Sequence, residues 1–387
     1  MPLRTSKRTA ELHLNIGVML MKLPVSLTAL AFLAMGCAGT DLGTATESVT
    51  SDDTAVFAVR ADTNTCAFPA CGGYYVSRVN RTTTTCADGT DAAECYVAEL
   101  DFSSVGLTTQ QETDLRASVT TSALTVSSLF RGKILKRKFG TAGTFGRLAI
   151  TVPFVSPAPV TLDSMVYKMS TIGGNCTNET CPTIREVELN TSVGRLVSHL
   201  DLTGTPGTAT QKNEALVAAY STDSMLTLGT QVGGSTDRVF TATSYFTPVD
   251  PGETLCGTDF TDELSAVTDG FLWMSESDYP VDPVMFPGEG SAAPTAEQVR
   301  ALVGLPAGTS VDERSMVVFQ WAGRNDLGMA PEETALAMRY RALRKVLEHN
   351  LTDLRFYYYG TIQVQVYIVG RTRCGDLAGM HTVSIET

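Results

Sequence analysis

The segment TDGFLWMSESDYP, residues 268–280, passes abruptly from apolar to oxygen-bearing side chains. Phe271 to Met274 form an apolar run that contains one of the two tryptophans, and Ser275 to Asp278 carry only hydroxyls and carboxylates. Serine, aspartate and proline are common turn residues, so the simplest interpretation is a buried strand followed by a solvated turn. The turn sets four polar side chains directly beside a core segment, and the rest of the sequence decides whether they have a function.

The composition is that of a folded chain with more than one domain. The chain has 387 residues, of which 43% are hydrophobic and 18% charged, enough for two or more sizeable cores. Its formal charge is -12, and residues 248–387 carry most of it, with 20 acidic and 10 basic side chains. An acidic surface repels nucleic acid and attracts basic proteins that bind nucleic acid. We therefore expect no direct nucleic-acid binding.

The first 37 residues are typical of a secretory signal. MKLPVSLTALAFLAMGC, residues 21–37, has one lysine and an apolar run over 23–35 that is too short to span a bilayer. It resembles a bacterial lipoprotein signal, in which the cysteine, here Cys37, receives the lipid. Ordinary cleavage near Ala38, which would release a soluble secreted protein, is the alternative.

The signal sets the expected location of the protein. A lipidated Cys37 would anchor the chain in the cell envelope, at the outer membrane or in the periplasm, whereas cleavage alone would secrete it. Residues 38–59 begin with a polar run rich in threonine and serine, which predicts a flexible tether. Any membrane contact is expected to pass through this anchor.

The eight other cysteines are expected to form disulfides, because their number is even and the chain enters an oxidising compartment. Six lie as close pairs in the sequence. The last two both lie in the acidic residues 248–387, and a bridge between them is the simplest pairing. Metal binding is the alternative, but no pair has C-x-x-C spacing. The candidate pairs are Cys66 with Cys71, Cys86 with Cys95, Cys176 with Cys181, and Cys256 with Cys374.

Residues 60–247 are predicted to form a mostly-β domain. Short segments rich in valine, threonine, tyrosine and isoleucine recur between turn residues, and few runs have a helical period. The basic run FRGKILKRKFG, residues 130–140, is interpreted as a solvated strand face, with an anion-binding hairpin as the alternative. PVDPG, residues 248–252, is predicted to be a hinge to the next domain.

Part of this β domain resembles a family of secreted bacterial domains of unknown function. The shared motifs lie within residues 64–102: P-x-C-G-G, V-N before T-x-C-A-D-G, and C-Y-V. The resemblance implies no activity.

Residues 253–387 change to longer elements. Pro331, followed by two glutamates, opens a predicted helix, and an alternating pattern over residues 361–368 predicts a half-buried strand. The terminal MHTVSIET predicts a last strand that runs to the carboxyl terminus. One buried helical stripe is expected, formed by Leu336, Tyr340, Leu343, Leu347 and Leu351.

Three segments of this second domain resemble the bacterial nuclease A inhibitor family, whose members block sugar-nonspecific, Mg-dependent DNA/RNA nucleases. The family shares M-S-E-S before Y-P, then V-Y-V/I-x-G and G-N/D-L-A-G, and ends in E-T. The resemblance covers the last 130 residues or so. The matching segments are AVTDGFLWMSESDYPVDPV (266–284), LEHNL (347–351) and YYGTIQVQVYIVGRTRCGDLAGMHTVSIET (358–387).

This resemblance implies a compact α/β/α sandwich that enters the active-site cleft of a nuclease. Glu276 of M-S-E-S and the C-terminal Thr387 would reach the catalytic site, where their oxygens replace phosphate oxygens around the partner's magnesium. Glu386, Ser275 and Ser277 flank these two residues and are candidate contacts. The chain would need no cofactor or metal of its own.

The loop before the long helix departs from the family pattern. GRNDLGMAPEE, residues 323–333, keeps an acid at Asp326, a further candidate contact, but has Leu327 where an aromatic residue is expected. This change predicts a weaker contact at that spot or a different target nuclease.

Two domains are thus predicted, a mostly-β N-terminal domain with disulfides and an α/β/α C-terminal domain. The rival function is a non-inhibitory envelope lipoprotein that uses the same scaffold for another protein partner. An enzyme is disfavoured, because G-x-S-x-G, H-E-x-x-H and a Gly-rich phosphate loop are lacking and the four histidines form no motif.

Overall fold

The computed structural model describes residues 54–172, 184–222, 224–234, 238–288, 290, 292–314, 319, 322–324 and 331–386, without the side chains of 331 and 332. The signal and the predictions for Cys37, Cys176, Cys181, Asp326 and Thr387 lie outside these residues. Across the described ranges, no helix combines the length and apolar character required to cross a membrane.

The N-terminal domain is mostly β, as predicted, with two short helices. The helices are α1 (Thr109–Ala117) and α2 (Ala209–Ala219). The strands are β1 (Ala55–Ala61), β2 (Tyr74–Arg78), β3 (Thr84–Thr85), β4 (Asp91–Ala92), β5 (Cys95–Asp101), β6 (Thr125–Lys138), β7 (Thr144–Thr161), β8 (Val166–Thr171), β9 (Ile184–Glu188), β10 (Gly194–Val197), β11 (His199–Asp201), β12 (Met225–Val232) and β13 (Val239–Pro248).

Strand pairing in this domain closes on itself and then continues into an open sheet. β1, β2, β5, β7 and β6 pair in that order, and β6 pairs again with β1. Because neighbouring side chains of a strand alternate between faces, Phe57, Val97 and Ile150 point into one shared core. β7 also pairs with β13, which leads to β12, β8, β9 and β10.

Strand β1 corrects the predicted end of the tether. It begins at Ala55, five residues before the expected domain start at 60, and Val56, Phe57 and Val59 are buried. A short apolar run after a polar segment was therefore the first strand and not part of the tether. The domain begins where burial of apolar side chains offsets the entropy lost on ordering the chain.

The C-terminal domain is rich in strands. The helices whose bounds lie in the described ranges are α3 (Gly257–Thr268), α4 (Ala296–Leu302) and α5 (Pro331–Asn350). Its strands are β14 (Leu272–Trp273), β15 (Tyr279–Pro280), β16 (Asp282–Phe286), β17 (Val311–Arg314), β18 (Thr352–Tyr359), β19 (Gln363–Arg371) and β20 (Leu377–Ile385).

Five of these strands form an antiparallel sheet in the order β16-β20-β19-β18-β17. Alternation along β19 sends Val364, Val366 and Ile368 into one core with α3 and α5, while Val369 meets Val299 of α4 in a separate core. The predicted helical stripe lies in the first core, where Tyr340, Leu343 and its other buried members meet the sheet. Each face of the sheet is thus covered by helix.

The two domains share one hydrophobic core. Met225 and Phe240 of the β domain belong to the same cluster as Leu343 and Leu347 of α5, and α2 packs against α5. The predicted hinge is bonded on both sides: Gln111 Nε2 donates to the Asp250 carbonyl at 2.9 Å, and Lys345 Nζ donates to the Asp250 carboxylate at 2.6 Å. Residues 248–252, the predicted hinge, are therefore bonded to α1 of one domain and to α5 of the other.

Three disulfides are described. Cys66 is joined to Cys71, Cys86 to Cys95, and Cys256 to Cys374. The last one links the residue before α3 to the loop between β19 and β20. It therefore crosslinks the two ends of the C-terminal domain.

The long-range disulfide is expected to stabilise the fold more than a short one does. Replacing Cys256 and Cys374 by serine should lower the free energy of unfolding by about 4 kcal/mol, because closing a long loop removes more entropy from the unfolded chain. The matched control, Cys66 and Cys71 to serine, opens a short loop and should cost about 2 kcal/mol. Urea denaturation measures both, and equal losses would contradict the expectation.

Candidate functional site

The candidate site is the tip of a small hairpin. β14 and β15 pair through Leu272 with Pro280 and Trp273 with Tyr279, so Met274 to Asp278 form the connecting tip. Phe271 and Trp273 are 1% and 3% exposed, whereas Glu276, Ser277 and Asp278 are exposed. The change of polarity in the sequence is thus the change from hairpin base to hairpin tip.

Aromatic side chains fix the base of this hairpin. The rings of Phe271 and Trp273 pack edge-on against Tyr340 of α5, with centroids 4.7 and 5.8 Å apart. Trp273 also contacts Phe319 at 6.0 Å, and Phe319 contacts Phe356 of β18 at 5.4 Å. Edge-to-face packing of buried rings gives each ring a defined orientation. The segment before Glu276 therefore has one packed position between helix and sheet.

Two neighbouring residues of α5 hold the hairpin by its backbone. The Met274 amide donates to the Tyr340 hydroxyl at 2.9 Å, and burial raises the pKa of that hydroxyl. Arg339 donates to the carbonyl of Gly270 at 3.1 Å and to that of Asp269. Burial lowers the pKa of Arg339, and its guanidinium also lies over the Phe271 ring. Both ends of the apolar run are thereby bonded to one helix.

The tip is also bonded to the last strand. The Ile385 amide donates to Ser275 Oγ at 3.3 Å, and Ser275 Oγ donates to the Ser277 carbonyl. Nearer the base, Thr382 Oγ1 donates to the Pro280 carbonyl at 2.8 Å. These bonds bring the M-S-E-S turn against the end of β20, two residues before Thr387.

Glu386 is held by a cation that the sequence analysis did not select. Arg314 Nη1 and Nη2 each donate to one carboxylate oxygen of Glu386 at 3.0 Å, and the Arg314 guanidinium lies 3.9 Å from the Tyr358 ring centroid. The bond to Glu386 is the main cause of the raised pKa of Arg314, and burial raises the pKa of Tyr358 to about 12. The Glu386 amide donates to the Ile362 carbonyl at 2.9 Å. The backbone amide and the carboxylate of Glu386 are therefore both bonded within the domain.

The structure gathers some of the predicted site residues and gives others a different setting. Ser275, Glu276 and Ser277 lie together on the hairpin tip, and Ser275 joins that tip to β20. Glu386 follows β20 directly but turns its carboxylate to Arg314. In the part of the chain that the structure describes, no group of His, Cys, Asp and Glu side chains is arranged to hold a metal ion.

Family models match almost the whole described region. Residues 55–251 match the model for Domain of unknown function (DUF6748), which is more than half of the chain. The chain belongs to the DUF6748 family. Residues 258–387 match the model described as Nuclease A inhibitor-like protein, and no curated protein matches the chain.

The inhibitor-like domain contains every element of the site described above, from the β14–β15 hairpin to Glu386. The match is to a family of inhibitors and so indicates a non-catalytic protein whose partner is a nuclease. The DUF6748 domain meets the inhibitor-like domain through α2 and residues near 250, against α5.

The Tyr340 hydroxyl is expected to matter for stability as well as for position. Tyr340→Phe leaves the amide of the exposed Met274 without its protein acceptor and should lower the free energy of unfolding by about 0.5–1.5 kcal/mol, the usual net contribution of a hydrogen bond. Tyr245→Phe is the matched control, because the buried Tyr245 hydroxyl has no hydrogen-bond partner among the described residues. Thermal denaturation measures both variants, and an equal effect of the two would contradict the assigned role.

Proposed function

We propose that the inhibitor-like domain blocks a Mg-dependent, sugar-nonspecific DNA/RNA nuclease by placing the Glu276 carboxylate where a substrate phosphate binds. The observation that carries this proposal is the setting of Glu276. The side chain is exposed, yet the backbone on its N-terminal side is bonded to α5 and the residue before it is bonded to β20. A solvated turn would not need these bonds, whereas an exposed carboxylate held in one position is suited to recognition by a protein partner.

The chemistry of a nuclease active site favours such an acid. Magnesium is a hard cation that prefers oxygen ligands, and a site built for a phosphodiester presents metal and cationic groups to any anion of matching shape. A carboxylate flanked by serine hydroxyls supplies oxygens without a bond that the enzyme can cleave. Because the turn is held before binding, little conformational entropy is lost on association, which favours high affinity.

We further propose that Thr387 acts together with Glu276. Its neighbour Glu386 is bonded to Arg314 and to the Ile362 carbonyl, and Ile385 is bonded to Ser275. These contacts support a role for Glu386 in anchoring the chain end instead of contacting the nuclease directly. Asp326, on the loop before α5, is proposed as a third contact.

The acidic character of this half supports the same partner. With 20 acidic and 10 basic residues over 248–387, the domain would be attracted to the cationic cleft of a nuclease, which speeds association and makes it sensitive to salt. We also propose the α/β/α sandwich as the fold, because α3 and α5 cover one sheet face and α4 the other. Envelope location through lipid on Cys37 is proposed from the signal alone.

The decisive variant replaces the proposed phosphate mimic. Glu276→Gln in the full-length chain should raise the inhibition constant against a purified Mg-dependent nonspecific endonuclease at least about 100-fold, as expected for an interface hot spot. The melting temperature should change little, because substitutions of exposed side chains usually alter the free energy of unfolding by no more than about 0.5 kcal/mol. Glu297→Gln on α4 is the matched control and should inhibit normally.

Two outcomes of this assay would contradict the proposal. Undiminished DNA cleavage at large excess of the wild-type chain, with nucleases of the source organism included, would remove the inhibitor function. Normal inhibition by Glu276→Gln would contradict the role of Glu276 as a phosphate mimic but not the inhibitor function itself.

The anchoring role of Glu386 gives a separate prediction. Arg314→Gln should weaken inhibition about tenfold, because the residue before Thr387 loses its bidentate partner, and Glu386→Gln should weaken it similarly. Combining both substitutions should cost little more than either one, since they remove one shared interaction. A double-mutant cycle on the inhibition constant measures this. Unchanged inhibition by Arg314→Gln, or additive losses, would contradict the anchoring role of Glu386.

A further inference from the structure

The β6–β7 hairpin of the DUF6748 domain projects beyond its neighbours. β6 pairs with β1 at residues 130–132, and β7 pairs with β5 at residues 146–149. Further toward the turn, Lys136, Arg137 and Lys138 pair with Gly146, Phe145 and Thr144 of β7. Because Gly146 also pairs with Val97 of β5, the two-stranded ribbon among the described strands consists of the last two of these pairs and the turn.

The ribbon carries an unusual charge for this chain. Between Asp114 and Asp163 the sequence has no acidic residue and seven basic ones, in a chain of formal charge -12. Lys136, Arg137 and Lys138 are consecutive and all exposed. Acidic side chains do approach from other elements: Glu99 pairs with Arg137, and Asp88 faces Lys136. The three cations of the ribbon thus outnumber these two acids by one, which leaves the ribbon with a positive character.

An exposed aromatic ring lies beside this basic run. Phe68 is 60% exposed, and its ring packs edge-on against Phe139 at the ribbon turn, with centroids 5.6 Å apart. The loop that bears Phe68 is closed by the Cys66–Cys71 disulfide and held by Tyr96, whose hydroxyl donates to the Pro69 carbonyl at 2.8 Å. Phe68 is therefore presented on a constrained loop.

The turn itself adds apolar character without charge. Residues 139–143 read FGTAG, and Phe139 also contacts Phe145 at 6.0 Å. The surface formed by Phe68, residues 139–143 and the flanking Lys136 and Lys138 is called the ribbon tip below. The ribbon tip thus combines the apolar rings of Phe68 and Phe139 with the flanking Lys136 and Lys138.

We propose that the ribbon tip docks on an anionic lipid surface. Aromatic rings settle in the interfacial region of a bilayer, and lysines beside it bind anionic headgroups. A polyanion such as nucleic acid would match the lysines but would leave the exposed Phe68 ring and the uncharged turn without an apolar environment. The tip belongs to the DUF6748 domain, so this activity is separate from nuclease inhibition.

The test uses residues 38–387, which include the whole described unit and leave out the apolar signal run. The protein is sedimented with vesicles of phosphatidylcholine, with and without phosphatidylglycerol. We expect binding to the anionic vesicles, little binding to the neutral ones, and release as salt screens the charges. Absence of binding to anionic vesicles would overturn the proposal.

Matched variants separate the two parts of the tip. Lys136→Ser with Lys138→Ser should weaken vesicle binding about 30-fold, given the usual contribution of each basic side chain near an anionic membrane. Phe68→Ser should weaken it at high salt as well, because its contribution is apolar. The controls are Lys212→Ser for the charge and Leu124→Ser for the apolar side chain, since Leu124 is 66% exposed and lies just before the other end of β6.

Three further results would overturn the proposal. The first is equal binding by wild type and both tip variants. The second is an equal loss in the controls, and the third is binding of a single-stranded DNA oligonucleotide in preference to the anionic vesicles. Circular dichroism of each variant checks that the fold is retained, and conservative Lys136→Arg with Lys138→Arg should restore binding.

Discussion

The hydrogen bond between the Met274 amide and the Tyr340 hydroxyl is the contact on which the site depends. It lies where the apolar base of the hairpin ends and the polar tip begins, and its acceptor is buried among the rings of Phe271 and Trp273. The buried hydroxyl needs a hydrogen-bond partner, and the amide of the exposed Met274 supplies it where the chain leaves the core. Ser275 then bonds to β20, and Glu276 is presented from a turn that is fixed on both sides.

The candidate site combines a local part with a distant part. The hairpin tip is a run of five residues, whereas its partners on α5 and β20 lie about 65 and 110 positions further along the chain. Arg314 reaches Glu386 from the far edge strand of the sheet, across the Tyr358 ring. Such a site forms only when the sheet has its full strand order. Assembly of the candidate site is thereby tied to completed folding of the domain.

The local elements of this site could be predicted from the sequence, whereas the contacts between distant residues could not. The long helix with its buried stripe, the last strand and the polarity change at Ser275 follow from residue order and spacing, and the structure contains each of them. The anchoring of Glu386 does not follow, because Arg314 stands in a short strand with no motif and the pair joins residues 72 positions apart. The end of the tether was placed too far along the chain for a related reason, since β1 begins at Ala55. Polar composition predicts flexibility, while packing against distant residues decides it.

The core shared by the two domains means that the protein responds to a ligand as one body. Met225 and Phe240 lie in the same apolar cluster as Leu343 and Leu347, so opening either domain exposes surface that the other one covers. A nuclease that binds only the native form adds its binding free energy to the stability of everything that unfolds with its site. Partner binding at the hairpin tip should therefore slow hydrogen exchange and proteolysis in the DUF6748 strands that make no contact with the partner.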